Sequence, residues 1–73
     1  MTAKEMFEAL GYEFCVGVEC IYYIKSKNFE PYVIIFNDDK TITKKRFYST
    51  EFEDITCAEL KAINQQCKEL GWF

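Results

Sequence analysis

The side chains in this sequence best equipped for chemistry are its four cysteines, Cys15, Cys20, Cys57 and Cys67. Cys15 and Cys20 are five residues apart and flank a candidate turn, an approximation to a zinc knuckle. Cys57 and Cys67 fall on one expected helix, about 15 Å apart along its axis, so both cannot ligate one ion at the ~2.3 Å of a zinc–sulfur bond. A zinc site therefore reduces to Cys15, Cys20 and Cys57, with a carboxylate or water as fourth ligand. The competing reading is small apolar fillers, which suits Cys67 on an apolar seam. Thiol catalysis lacks its usual activating base, because the chain has no His. The carboxylates Glu51, Glu53, Asp54 and Glu59 could share acid–base work if held in a cleft. They also precede a helix N-terminus, where the helix dipole favours anions without any catalytic role. The sequence has no Gly-rich phosphate loop, no Ser/His/Asp set and no His/Glu metal pair. The expectation is a protein that is not an enzyme and needs no metal or other cofactor.

These residues must be positioned by 73 residues, of which 49% are hydrophobic and 18% aromatic. That length allows one domain, 1–73, and a small core that large aromatic side chains fill efficiently. Thr2 and Glu5 form a capping box ahead of a helix over 2–10, whose stripe is Ala3, Met6, Phe7 and Leu10. Thr56 and Glu59 repeat the device ahead of a helix over 56–70, with a core seam of Leu60, Ile63, Cys67 and Leu70. Gly11 and Gly71 supply the left-handed stops. Between the helices the chain reads as strands. Tyr12–Cys15 is a short one, followed by a turn near Val16–Glu19. Cys20–Lys25 and Tyr32–Phe36 follow, separated by a polar connection over Ser26–Glu30. Thr41–Tyr48 comes after a hairpin turn at Asn37–Lys40, and an acidic loop spans Ser49–Ile55. The fold class expected is α+β: a three- or four-stranded antiparallel sheet flanked by N- and C-terminal helices, αβββα or αββββα.

Charge is uneven. Residues 25–46 carry six basic side chains against three acidic, while the whole chain is −3. Strand alternation puts Ile42, Lys44, Arg46 and Tyr48 on one side of the last strand and Thr43, Lys45 and Phe47 on the other. Tyr32, Ile34 and Phe36 oppose Val33 and Ile35 in the strand before. Both sides of the sheet are apolar, and two short helices cannot cover both, so an aromatic patch with a basic rim is expected to face a partner. The residues assigned to that partner are Tyr32, Lys44, Arg46, Tyr48, Trp72 and Phe73, because aromatics and Arg dominate interface energies. No apolar run approaches the ~20 residues that span a bilayer, and no secretory signal is evident, which sets the expected location in a reducing cytoplasm with no membrane partner.

The termini carry a further signal. Thr2-Ala3-Lys4-Glu5-Met6-Phe7-Glu8-Ala9-Leu10-Gly11-Tyr12 and the segment from Ile55 through Glu59-Leu60-Lys61-Ala62-Ile63-Asn64 to Glu69-Leu70-Gly71-Trp72 resemble a group of small phage- and prophage-encoded proteins of Gram-positive bacteria. At Cys57-Ala58 the sequence departs from that pattern, which has Met followed by an acid. The resemblance implies a genomic setting: an accessory protein that binds a bacterial host protein, as anti-CRISPR inhibitors bind a defence nuclease. Two alternatives stand beside it. One is a single-stranded nucleic-acid-binding module using basic and aromatic side chains of the sheet, which the acidic pI of about 4.9 disfavours. The other is a zinc-stabilised interaction module. Self-association is open as well.

Overall fold

The computed structural model describes residues 1–27 and 30–73. The element order is α1 (Ala3–Ala9), β1 (Glu13–Gly17), β2 (Cys20–Lys27), β3 (Glu30–Asn37), β4 (Ile42–Arg46) and α2 (Cys57–Glu69). This is the αββββα member of the expected α+β class. Each helix starts at the Thr named by the sequence. Thr2 and Thr56 accept from the backbone N–H of Glu5 and Glu59, and both glutamates reach back to the cap backbone. Each helix stops where glycine allows a positive φ, +91° at Gly11 and +75° at Gly71.

The four strands form one antiparallel sheet in the order β1-β2-β3-β4. β1 runs two residues beyond the expected Cys15, because Gly17 pairs with Cys20 across a two-residue turn. In that turn Glu19 takes a φ of 56°. β4 is shorter than Thr41–Tyr48. Its chain turns after Arg46, with Ser49 N–H donating to the Arg46 carbonyl. Within the expected polar connection, Ser26 and Lys27 continue β2, and Glu30 and Pro31 open β3. Asn28 and Phe29 lie outside the described residues.

Both helices pack on one side of the sheet. The core there joins Phe7, Tyr12, Tyr23, Ile34, Phe36, Ala62, Ile63 and Cys67. Phe7 of α1 stacks on Tyr23 of β2 with ring centroids 3.9 Å apart, and Tyr12 and Phe36 meet Phe7 edge-on. The α1 stripe is as expected, with Ala3 and Phe7 buried and Met6 and Leu10 against the core. The α2 face is rotated from the expected seam. Its buried residues are Glu59, Ala62, Ile63, Gln66 and Cys67, while Leu60 and Leu70 are 49% and 38% exposed. Glu59 and Gln66 turn inward because each finds a partner there: Tyr12 of the α1–β1 connection and Lys44 of β4 for Glu59, and the Tyr23 hydroxyl of β2, 2.6 Å away, for Gln66. No helix among the described residues is long and apolar enough to cross a membrane.

Candidate protein-docking face

Register fixes which side chains share a face. Phe14 and Val16 of β1 stand beside Tyr23 and Ile21 of β2. Those in turn adjoin Ile34 and Phe36 of β3, and then Lys44 and Ile42 of β4. From β2 to β4 this row lies under the helices, while Phe14 and Val16 at the β1 edge are exposed. The alternate row contains Cys15, Tyr22, Ile24, Val33, Ile35, Thr43 and Lys45, and neither helix covers it. Phe52 joins this side because an isolated bridge sets it opposite Lys45. The chain alternation carries Phe47 to the same side.

The uncovered row is apolar at its centre. Val33 is only 2% exposed despite having no helix above it. Its cross-strand neighbours Ile24 and Lys45 flank it, and Phe47 shares the same depression. That depression holds about 330 Å³ and is lined by Cys20, Tyr22, Val33, Ile35, Lys45 and Phe47. Two aromatics stand proud at its margin, Phe47 at 44% and Phe52 at 79% exposure. Phe47 meets Tyr48 edge-on at 5.0 Å, so the margin extends onto the turn after β4. Lys45 supplies a cation within the row, and Glu13 an exposed acid at the β1 end.

The structure distributes the six residues assigned to partner binding among three places. Tyr32, Lys44 and Arg46 lie together on the helix-covered side, with the Arg46 guanidinium 5.9 Å from the Tyr32 ring centre. Tyr48 projects from the turn, 86% exposed. Trp72 packs beside Phe36 at the opposite end of the strands, with centroids 6.2 Å apart, and Phe73 beyond it is 77% exposed. Lys44 and Arg46 both have acidic partners. Arg46 Nε is 3.0 Å from Glu53, and Lys44 Nζ is 2.8 Å from Glu59 and 2.6 Å from the Asp54 carbonyl.

Glu59 is the polar hub of the molecule. One carboxylate oxygen accepts from Lys44 and the Thr56 N–H, and the other from the Tyr12 hydroxyl at 2.5 Å. Burial works to raise its pKa, but the bonds from Lys44, Tyr12 and Thr56 outweigh burial and hold it below the usual carboxylate range. A carboxylate so held is ionised and fully engaged, which suits a structural anchor. Tyr12, Lys25, Tyr32, Lys44, Thr56 and Glu59 line a cleft of about 230 Å³ around this hub. Glu53 is turned to Arg46, away from Glu59, so the acidic cluster does not converge on that cleft.

The cysteines divide between the two sides of the sheet. Cys15 is on the uncovered face, where its charge when ionised pushes the Tyr22 phenol up, and Cys20 borders the depression there. Cys57 opens α2 and lines a groove with Met1, Met6, Ala9, Leu10, Ala58 and Lys61, beside α1. The three zinc candidates are therefore not brought together. Among the described residues no group of three or more His, Cys, Asp or Glu side chains could hold a metal ion.

The alternation read from the sequence separates both rows of the sheet; of the six residues it assigned to a partner, Tyr32, Lys44 and Arg46 stand on the row that the helices cover, and Tyr48, Trp72 and Phe73 lie outside the strands. Ile24, Val33, Ile35, Phe47 and Phe52, on or beside the other row, are not among those six. A signal existed for them. Both helices carry narrow apolar stripes and connect to the same sheet, and of the strands' aromatic side chains Phe14, Tyr23, Tyr32 and Phe36 share the row beneath them while Tyr22 is on the other. No protein-family model, no curated protein and no solved structure matches this chain.

Proposed function

We propose that this protein is a non-enzymatic binding module that docks a bacterial protein on the uncovered face of its sheet. The observation that carries the reading is that face itself: a contiguous apolar row, Tyr22, Ile24, Val33 and Ile35, flanked by the exposed rings of Phe47 and Phe52. Such a patch rimmed by polar groups is the usual form of a protein contact surface. The likeness of the termini to phage-encoded accessory proteins supplies the partner class, a host protein, and in its narrowest form a defence nuclease of the CRISPR type. The nucleic-acid alternative has less support, because Lys44 and Arg46 are each engaged by a glutamate.

The test compares capture from a bacterial lysate by the wild-type chain and by Ile35→Glu, with fold checked by circular dichroism. The expected result is a near-stoichiometric host protein that survives moderate salt and is lost with Ile35→Glu. Phe52→Ser, at a more exposed position, should weaken capture without touching the fold. Nucleic acid released steeply by salt would overturn the reading. So would a host protein held equally by wild type and both variants.

A further inference from the structure

We infer that this chain forms a twofold dimer by pairing β1 with β1 of a second copy, edge to edge. The two edges of the sheet are treated differently. The β4 edge carries Lys44, Lys45 and Arg46, and the chain returns to close it: Glu53 N–H donates to the Lys44 carbonyl, and Phe52 bridges Lys45. Lysines and a covering segment are two of the ways in which natural sheets protect an edge. β1 has neither. Its sequence, Glu13-Phe14-Cys15-Val16-Gly17, contains no Lys, no Arg and no Pro.

Hydrogen-bond parity shows what β1 offers. Asn37 N–H donates to the Thr41 carbonyl and Phe47 N–H to the Pro31 carbonyl, so odd residues of β3 bond to β4 and even residues to β2. Carried across the registers, Glu13, Cys15 and Gly17 bond to β2, and Phe14 and Val16 point their N–H and C=O outward. Neither residue has a backbone partner among the described residues. Phe14, Val16 and Val18 are 39%, 72% and 90% exposed beside these groups.

One register uses all four outward groups. Centred on Cys15, it sets Phe14 opposite Val16 of the second copy and the reverse, giving four N–H···O bonds. The four side chains then gather on the helix side of the joint sheet. Cys15 faces Cys15 as a non-hydrogen-bonded pair, with Cα atoms about 4.5 Å apart. Glu13 faces Gly17, which leaves the two Glu13 residues about 14 Å apart along the strand. Centring on Phe14 would require the Tyr12 N–H, which already donates to the Phe7 carbonyl. Centring on Val16 would oppose Glu13 to Glu19. The second copy is thus the occupant that this edge fits, and the dimer places both docking faces on the same side of an eight-stranded sheet.

Sedimentation of the purified, reduced chain across a concentration series tests this directly. The expected mass is twice the 8.7 kDa of the chain. Val16→Pro removes one outward N–H from each copy and should give monomer, since an edge position tolerates proline in the fold. Val16→Lys, at a position already 72% exposed, should do the same if the proline variant fails to fold. A short bismaleimide should link wild-type chains and lose that product with Cys15→Ser but not with Cys57→Ser. Ile35→Glu should leave the dimer intact, which separates this interface from the docking face. A monomer throughout the series overturns the inference. So does a dimer that persists in both Val16 variants, or one that Ile35→Glu abolishes.

Discussion

Replacing Glu59 by Gln keeps the size and shape of the side chain and removes its charge. The Lys44 and Glu59 side chains are 11% and 7% exposed, so the pair has little water to fall back on. Removing one partner of a buried ion pair costs roughly 3–5 kcal/mol. Lys44 retains the Asp54 carbonyl at 2.6 Å, and an amide at this position can still accept from Tyr12, which places the substitution at the lower end, about 3 kcal/mol. A chain of this length has roughly 4–11 kcal/mol of stability in all, so the loss is a large share of it. The midpoint temperature should fall by roughly 12–24 °C. Urea unfolding followed by circular dichroism measures the loss. A cycle with Lys44→Met isolates the pair, with an expected coupling of about 2 kcal/mol. The pH dependence has a fixed sign. The folded-state pKa of Glu59 is lowered, so its contribution is complete above the unfolded-chain value and is lost as pH falls through the folded one. Wild type should lose stability on that acid limb, and Glu59→Gln should show a shallower limb, keeping only what other carboxylates held low, such as Glu5 and Asp39, contribute. A loss below about 0.5 kcal/mol, or strict additivity with Lys44→Met, would refute the assignment of Glu59 as the hub.

Three further outcomes are expected. Tyr23→Phe strands the buried Gln66 side chain, whose Oε1 accepts from that hydroxyl at 2.6 Å, and should cost about 1–3 kcal/mol in the same urea assay. Burial, with Glu69 and Glu8 nearby, pushes the Tyr23 phenol up to about 12, and burial plus Glu59 pushes Tyr12 higher still. Stability from both is complete below the ordinary tyrosine value and is lost as pH rises toward the folded ones, so their tyrosinate absorbance at alkaline pH should appear together with loss of the fold. Burial also raises the Cys67 thiol, and a disulfide reagent should modify the exposed Cys57 in the native protein but reach Cys67 only on unfolding.

The helix ends were legible because capping is local chemistry: Thr2 with Glu5, and Thr56 with Glu59, act within one turn. The hairpin at Asn37–Lys40 was legible for the same reason. The face of α2 was not, because hydrophobic periodicity counts Glu59 and Gln66 as solvent residues. Only the tertiary arrangement supplies Tyr12, Lys44 and Tyr23 as their partners. The same blindness applies to which side of the sheet the helices cover. Lys44 and Arg46 mark their row as the outward one on hydropathy, yet acids from α2 and the preceding loop receive them on the helix side. Alternation divides a strand into two rows; the aromatic core of Phe7, Tyr23 and Phe36 seats the helices on one of them, and long-range ion pairs let Lys44 and Arg46 share that side.

The closure of the β4 edge by residues 51–53 has a consequence for how far this sheet can grow. A sheet with two unguarded edges adds copies at both ends, and the product is a filament of unlimited length. Here the Glu53 N–H occupies the Lys44 carbonyl, so pairing at β1 consumes the remaining edge and the addition terminates after one step. The short bridge at Phe52 therefore acts as a chain stopper. Exposing the β4 edge by Glu53→Pro, which removes the N–H that the Lys44 carbonyl accepts from, or by trimming the acidic loop should convert a finite particle into a polymerising one.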